Sequence, residues 1–335
     1  MRSAGYQPAE PLNVWTITDG RAGIEAQALG LAEAIGRRAP VTLNVKRVRL
    51  RTPWSWLPAG LVPAPRQATT LGSDPIEPPW PDILIGCGRA SIPFSLGVRD
   101  WSNGRTFVVQ LQDPRMNPRE FDIVVPPMHD GLEGQNVLPT VGACHRITPE
   151  RLELAVEEYK SLNLEELPSP RFAVLIGGKS KRQDISRARA REIADSLVAV
   201  QRETGGSLMV TLSRRTSAAA RVHLRTWLAP YCAIFYEEEG ANPYPAILGG
   251  ADHIFVTADS VNMATEAAAT AKPVHVLAVD GHAGKLARFH QSLTRRGCAR
   301  PFKGRLETWS YPPLLETDRV AVAVLTAWAA RVRPR

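Results

Sequence analysis

Cysteine is scarce in this 335-residue chain: Cys87, Cys144, Cys232 and Cys298 are scattered, with no C-x-x-C pair and no spacing of metal ligands. That excludes a disulfide scaffold and a zinc module, and it suits reduced core thiols in a cytosolic protein. Long hydrophobic runs are missing as well. Without about 18 consecutive apolar residues, no helix is expected to span a membrane. The opening MRSAGYQPAEPLN lacks an apolar core segment and does not read as a secretory signal. There is no Asp-x-Asp metal motif, no short-period repeat, no RNA-binding aromatic motif and no evident helix-turn-helix. Nucleic acid is therefore not expected as a partner, although the net charge of +8 favours acidic partners in general.

What is present is the composition of a globular protein, 44% hydrophobic and 22% charged, with enough chain for two domains. Apolar, strand-like runs alternate with helical stretches, which predicts parallel α/β sheets. In the first half the strands are predicted at 13–18, 42–48, 83–86, 106–111 and 123–126, with a helix over 25–36. A second set is predicted at 172–176, 208–212, 232–236, 254–257 and 274–277. A helix over 149–162 and a polar connection, 163–170, ending in Pro-Ser-Pro, separate them. The expected division is thus a first domain over 1–165, a second over 166–315, and a terminal helix over 316–335. That helix carries Val320, Val324, Leu325 and Trp328 on one face and is expected to cross back onto the first domain.

The most informative stretch is ADHIFVTADSVNMATEAAATAKPVHVL at 251–277. It reads as strand, tight polar loop, helix over 261–271, and strand. Asp259 and Ser260 are placed to cap the helix, leaving its positive N-terminus to face an anion. Glu266, on the second turn, is positioned to accept from a ribose hydroxyl pair, with Met263 between them. Ligands of doubly wound sheets bind at the carboxyl ends of the strands, and the polar, glycine-rich residues do follow the strands. After 172–176 come Gly177, Gly178, Lys179 and Ser180, which is not a Walker A loop because Ala173 stands where its first glycine belongs. The loop still offers amides and charge to a diphosphate. Ser213, Arg214, Arg215 and Thr216 follow the next strand, at an expected helix start. Asn242 and Tyr244 follow the third, where Tyr244 is a candidate for the nucleobase. Lys285, Arg288 and His290 are candidates to reach a substrate phosphate.

In the first half, Thr18-Asp19-Gly20-Arg21-Ala22-Gly23 leads into a helix carrying Gln27, and Asp19 is a candidate general base. Gly86-Cys87-Gly88-Arg89-Ala90-Ser91 lacks the third glycine of a dinucleotide fingerprint and is rejected as one. Gln112 and Asp113 end the fourth strand. His129 and Asp130 follow the fifth and form a second candidate for proton transfer, with Asp130 beside the imidazole.

Laid out in order, W-x-I-T-D-G-R-A-G at 15–23, Gln27, PDILIGCGRAS, QLQDPR, FDIVVPPMHDG, LIGGKSK at 175–181, TLSRRT, VTADSVNMATEA and KPV span nearly the whole chain. With these motifs the chain resembles the mitochondrial-fission "elongated mitochondria" family and its bacterial relatives, described as glycosyltransferases. The resemblance implies a GT-B architecture, two Rossmann-like domains facing a cleft, with the donor nucleotide in the second and the acceptor in the first. It places Ser260 and Glu266 at the positions of the phosphate-contacting hydroxyl and ribose-binding Glu of that superfamily. It also implies no metal and no cofactor, with Arg, Lys and helix dipoles stabilising the departing diphosphate. Ile24 and Glu25 depart from the polar Asn–Glu pair expected in the first loop.

These features predict a glycosyltransferase acting from a nucleotide-diphosphate-sugar on a lipid-linked or cell-envelope acceptor. The alternatives are a nucleotide-sugar epimerase of the same fold and a non-enzymatic, membrane-associated fission adaptor. Gly20, Arg21, Gly23, Gln27, Gly88, Arg89, Gln112 and Asp113 make the expected acceptor side. Arg47, Arg49 and Arg51 precede Trp54-Ser55-Trp56-Leu57-Pro58, a composition suited to an anionic headgroup layer and a peripheral place on the inner face of the membrane.

Overall fold

The run Val14–Thr18 is apolar or small on both faces, which is the pattern of a strand covered from both sides. The computed structural model, which describes residues 10–180, 183–237 and 240–332, puts it in the middle of a parallel sheet. Residues 1–9 and Lys181, which figure in the sequence reading, lie outside the described residues. The chain forms two units, residues 1–146 with 315–335, and residues 147–314.

In the first unit, β1 (Leu12–Thr18) leads to α1 (Ala22–Gly36) and β2 (Val41–Arg47), followed by three short 3-10 turns between 54 and 68. Then come β3 (Ile83–Cys87), α2 (Ile92–Trp101), β4 (Phe107–Leu111) and β5 (Ile123–Val125). All five strands are parallel, in the order β2-β1-β3-β4-β5. The order reverses between β1 and β3, and a crevice opens at such a point past the strands' carboxyl ends.

The second unit opens with α3 (Pro149–Glu158), β6 (Arg171–Ile176), β7 (Gln183–Asp184) and α4 (Arg187–Thr204). It continues through β8 (Ser207–Leu212), α5 (Ala218–Trp227), β9 (Cys232–Tyr236), α6 (Tyr244–Gly250) and β10 (His253–Thr257). Next are α7 (Val261–Ala268), β11 (Val274–Leu277), β12 (Asp280–Gly281), α8 (Lys285–Arg295) and β13 (Ala299–Pro301). The main sheet runs β13-β11-β10-β6-β8-β9, all parallel, and β7 pairs antiparallel with β12. Read from β9, this is the nucleotide-binding Rossmann order, with its reversal between β6 and β10. The α/β class with two doubly wound parallel sheets is therefore what this sequence folds into.

The helix α9 (Glu316–Val332) belongs to the first unit. Its Val320, Ala321, Val324 and Trp328 join the cluster of Leu31 and Ile35 from α1. Arg37 and Arg38 pair with Asp318, and Thr317 accepts from the His145 amide at 3.0 Å.

The boundary between units differs from the expected one at 163–170. α3 packs on α6, where a Cβ at Gly249 would meet Val156 at 2.8 Å, so this helix is part of the second unit. The polar connection behaves as structure: Arg171 donates to Asp252 and to the Leu164 carbonyl, and the Ser207 hydroxyl to that of Pro168. Backbone carbonyls that find such partners tie the connection to the second unit. Helix α7 is also shorter than predicted, since Ala271 turns to φ 62° ahead of Pro273, which cannot continue a helix.

Candidate functional site

The reversal point of the second sheet collects three of the loops singled out above. After β6, the Gly177 amide donates to Thr257 Oγ1 (2.7 Å) and the Gly178 amide to Asp259 Oδ2 (2.8 Å). The Lys179 amide donates to the Arg215 carbonyl at 2.8 Å, and the Ser180 amide to that of Gln183. These amides are thus taken within the chain, and the expectation that the Gly-Gly turn offers them to a diphosphate is corrected. The glycines serve close approach: a Cβ at Gly177 would lie 2.2 Å from the Asp259 carboxylate, and one at Gly178 2.1 Å from the Arg215 backbone.

The segment Ser213–Thr216 is likewise a turn, not a helix start; α5 is capped by Ser217, whose hydroxyl accepts from the Ala220 amide. Ser213 Oγ accepts from the Arg215 amide, and the buried Thr216 hydroxyl donates to the Gly177 carbonyl. Arg214 and Lys179 are exposed, and Lys179 Nζ lies 4.0 Å from Asp184 Oδ2. Arg215 reaches Asp259 Oδ2 at 3.3 Å, with its side chain about half exposed (47%) and that of Asp259 almost wholly buried. Asp259 is therefore the brace that joins the loops after β6, β8 and β10, while its Oδ1 is buried without a partner among the described residues. The helix cap is Ser260 alone, accepting from the Met263 amide at 3.4 Å. The first turn of α7 and the Arg215 guanidinium form the phosphate-friendly part of this crevice.

One and a half turns along α7 stands Glu266. Tyr244, at the start of α6, donates its hydroxyl to Glu266 Oε2 at 2.5 Å, and no described residue donates to Oε1. Tyr244 is thus a partner of the carboxylate and not a free platform for a base, and Asn242 accepts from its amide at 3.1 Å. Burial pushes the Glu266 carboxyl up to about 7, against the lowering effects of the Tyr244 hydroxyl and the Arg151 charge. Burial beside that carboxylate pushes the Tyr244 phenol up, so it stays a donor. Arg151 comes from α3, a helix that the sequence pattern places with the first domain. Lys285 is exposed at the start of α8; further along, His290 meets the Ala258 carbonyl at 2.8 Å, fastening α8 to the loop before α7.

In the first unit the strand ends hold two separate groups. Gly20 turns at φ 76°, and Asp19 Oδ1 and Oδ2 accept from the Arg21 amide (3.1 Å) and Nε (2.7 Å). Arg89, after β3, donates to the Leu57 carbonyl. Asp19, Arg21, Arg49, Leu50, Ser55, Arg89 and Ala90 line a pocket of about 390 Å³. Gln27 is a buried tie: its amide donates to the Gly23 carbonyl and its oxygen accepts from Gln112 at 3.2 Å. Gly88 packs on Ile24, and Glu25 pairs with Arg47, which gives the two departures from the family's first loop a structural role. Asp113 Oδ1 accepts from the Arg115 amide, turning the chain after β4.

His129 is 93% buried on a 3-10 turn with Asp130. It follows β5, three strand positions from β1, which is about 14 Å at the usual interstrand spacing. Asp19 and His129 therefore stand at separate strand ends, as separate candidates for a base. Among the described residues no three His, Cys, Asp or Glu side chains gather as a metal ion would require, and no helix is long and apolar enough to cross a membrane.

The family described as Mitochondrial fission ELM1 matches residues 22–328. The chain is 33% identical over 288 residues to the mitochondrial fission protein ELM1 of Arabidopsis thaliana, covering 78% of this chain and 67% of that one. Among solved structures, it is similar to a protein described as a UDP-N-acetylglucosamine 2-epimerase of Listeria monocytogenes. The two share 13% identity at TM-score 0.57, over 95% of this chain and 88% of the other. It is also similar to the Methanocaldococcus jannaschii UDP-GlcNAc 2-epimerase in complex with UDP-GlcNAc and UDP, at 12% identity and TM-score 0.54. That match covers 95% and 99% of the two chains. At such identities the likeness concerns the fold.

Proposed function

The chain belongs to the mitochondrial fission ELM1 family, and on that premise we propose that it is a glycosyltransferase. It moves a sugar from a nucleotide-diphosphate-sugar, held at the reversal point of the second sheet, to a lipid-linked or cell-envelope acceptor bound by the first unit. One observation carries the reading. A Rossmann-ordered sheet places a Ser260-capped helix beside Arg215 at its crossover, with a carboxylate, Glu266, one and a half turns further and one oxygen open. Helix end and guanidinium meet the diphosphate, and the carboxylate meets the ribose hydroxyls. The fold neighbour solved with UDP-GlcNAc and UDP makes uridine nucleotides the first to test. As the glycosidic bond to the diphosphate breaks, Arg215 and the α7 dipole take up the negative charge that develops on the leaving group.

The test is a thermal-shift panel of nucleoside diphosphates, followed by incubation with radiolabelled nucleotide sugars and envelope lipids. A nucleotide at a hundredfold its dissociation constant is expected to add about 2.7 kcal/mol of stability. Label moving into lipid supports the reading. Isomerised sugar without transfer would make the protein an epimerase instead, and binding without turnover would make it an adaptor.

The base is tested separately. Asp19→Asn is expected to lower turnover by about a hundredfold or more, with donor affinity unchanged, because a base on the acceptor side acts in the transition state. His129→Gln is the rival variant. Whichever of the two slows transfer under saturating substrates is the base, and if neither does, both assignments fall.

A further inference from the structure

The pocket of the first unit contains more positive charge than its neighbours neutralise. Arg21 is matched by Asp19. Arg89 spends a guanidinium bond on a neutral carbonyl, that of Leu57, and the Arg49 guanidinium meets no acceptor among the described residues. Two exposed guanidinium groups without a carboxylate partner among the described residues therefore line one open pocket of about 390 Å³ past the carboxyl ends of β1 and β3, where this sheet reverses. Like charges brought together repel, and an anion with oxygens on several sides relieves that repulsion with bidentate bonds. The wall of the same pocket is the segment that contains Ser55 and is held by Arg89 through Leu57. From it, Trp56 is 75% exposed and Leu61 68% exposed. Tryptophan beside arginine suits the headgroup layer of a bilayer.

We infer that this pocket binds the phosphate group of a lipid, with Arg49 and Arg89 on the phosphate oxygens and Trp56 and Leu61 in the surrounding headgroup layer. The inference rests on the proposed transferase reading only for its meaning: the acceptor would be a phosphate-bearing lipid, and Asp19 would stand beside that phosphate. The binding itself can be measured without any sugar transfer.

The full-length protein is sedimented with phosphatidylcholine vesicles, with and without phosphatidic acid, and its melting is followed with inorganic pyrophosphate. The parent is expected to bind only vesicles with phosphatidic acid, and pyrophosphate is expected to compete. Arg49→Gln removes no bond within the fold and should weaken vesicle binding about fivefold. Trp56→Ser should weaken vesicle binding while leaving the pyrophosphate shift intact. Arg191→Gln with Arg202→Gln, on the second unit, removes two charges and should change neither. Equal losses from the Arg191 and Arg202 changes would mean diffuse electrostatics and overturn the inference. Binding of pyrophosphate with no vesicle binding would overturn the lipid assignment. Nucleotide stabilisation of the same preparations reports on the transferase reading independently. Nucleotide binding with Arg49→Gln unaffected on vesicles sinks this inference alone, whereas its absence sinks only the transferase reading.

Discussion

Glu266→Gln is expected to weaken nucleotide affinity at pH 8 by about ten- to a hundredfold. A carboxylate accepting from ribose hydroxyls makes charge-assisted bonds worth roughly 1.5–3 kcal/mol, and 1.4 kcal/mol is a factor of ten. The neutral amide accepts more weakly and turns a donor toward one of the hydroxyls. Burial adds a pH signature. With the carboxyl ionising near 7, the parent's affinity should rise about tenfold from pH 6 to pH 8, since only the ionised form accepts fully. The stability of the unliganded second unit should move the opposite way. Its folded-state carboxyl lies above the ordinary value of 4.5, so the stability it contributes is complete below that value and is lost as pH rises through about 7. Calorimetry across this range decides. Glu266→Gln should flatten the profile, and Tyr244→Phe should move its midpoint upward, because the Tyr244 hydroxyl favours the ionised form. A parent whose affinity is flat from pH 6 to pH 8 would remove Glu266 from the nucleotide site.

Gly178→Ala should lower the melting temperature of the second unit by about 6–12 °C and abolish nucleotide stabilisation. The new Cβ would sit 2.1 Å from the Arg215 carbonyl carbon, 2.2 Å from its oxygen and 2.3 Å from the Thr216 nitrogen. These are backbone atoms that cannot swing aside as a side-chain end would. Overpacking of this kind costs about 1–3 kcal/mol, and the shift that relieves it breaks the buried Gly178–Asp259 bond, a further 1–3 kcal/mol. About 3 kcal/mol at a few degrees per kcal/mol gives the expected change. Circular dichroism and calorimetric melting measure it. Melting coincident with the parent would show that the loops after β6 and β8 are not held in this close approach.

Strand runs such as 172–176 and 254–257 were legible in the sequence because a strand buried on both faces has to be apolar throughout. Which strands neighbour each other was not, since β10 pairs with β6 across about 80 residues and local pattern has no term for that. The same limit explains α3. Its amphipathic face was visible, but not that the face meets α6, and with it Arg151 was assigned to the wrong side of the boundary. The positions of Ser260 as the cap of α7 and of Glu266 along that helix followed from cap chemistry and helix spacing, both local properties. Nothing local in the sequence says that the Tyr244 hydroxyl lies 2.5 Å from a carboxylate 22 residues away, so its pattern suggests only a platform for a base. Arg49 and Ser55 gave no signal as pocket residues, because the segment that carries them has no periodicity.

By itself, then, the sequence determined the α/β class, the duplication of the strand–helix pattern, the family, and the polar loops past the strands. The class, the duplication and the loops are set by composition or by contacts a few residues apart, and the family by the ordered motifs along the chain. Only the tertiary structure decided what those loops do. The glycine amides after β6 are consumed by Thr257 and Asp259, so in the proposed nucleotide site it is the α7 end and Arg215 that are left to meet an anion. In the first unit, Arg21 is spent on Asp19 while the Arg49 guanidinium has no acceptor among the described residues. The physical reason is that a polar group's role depends on whether its hydrogen-bonding capacity is already used, and the partners that use it are chosen by the packing of distant segments.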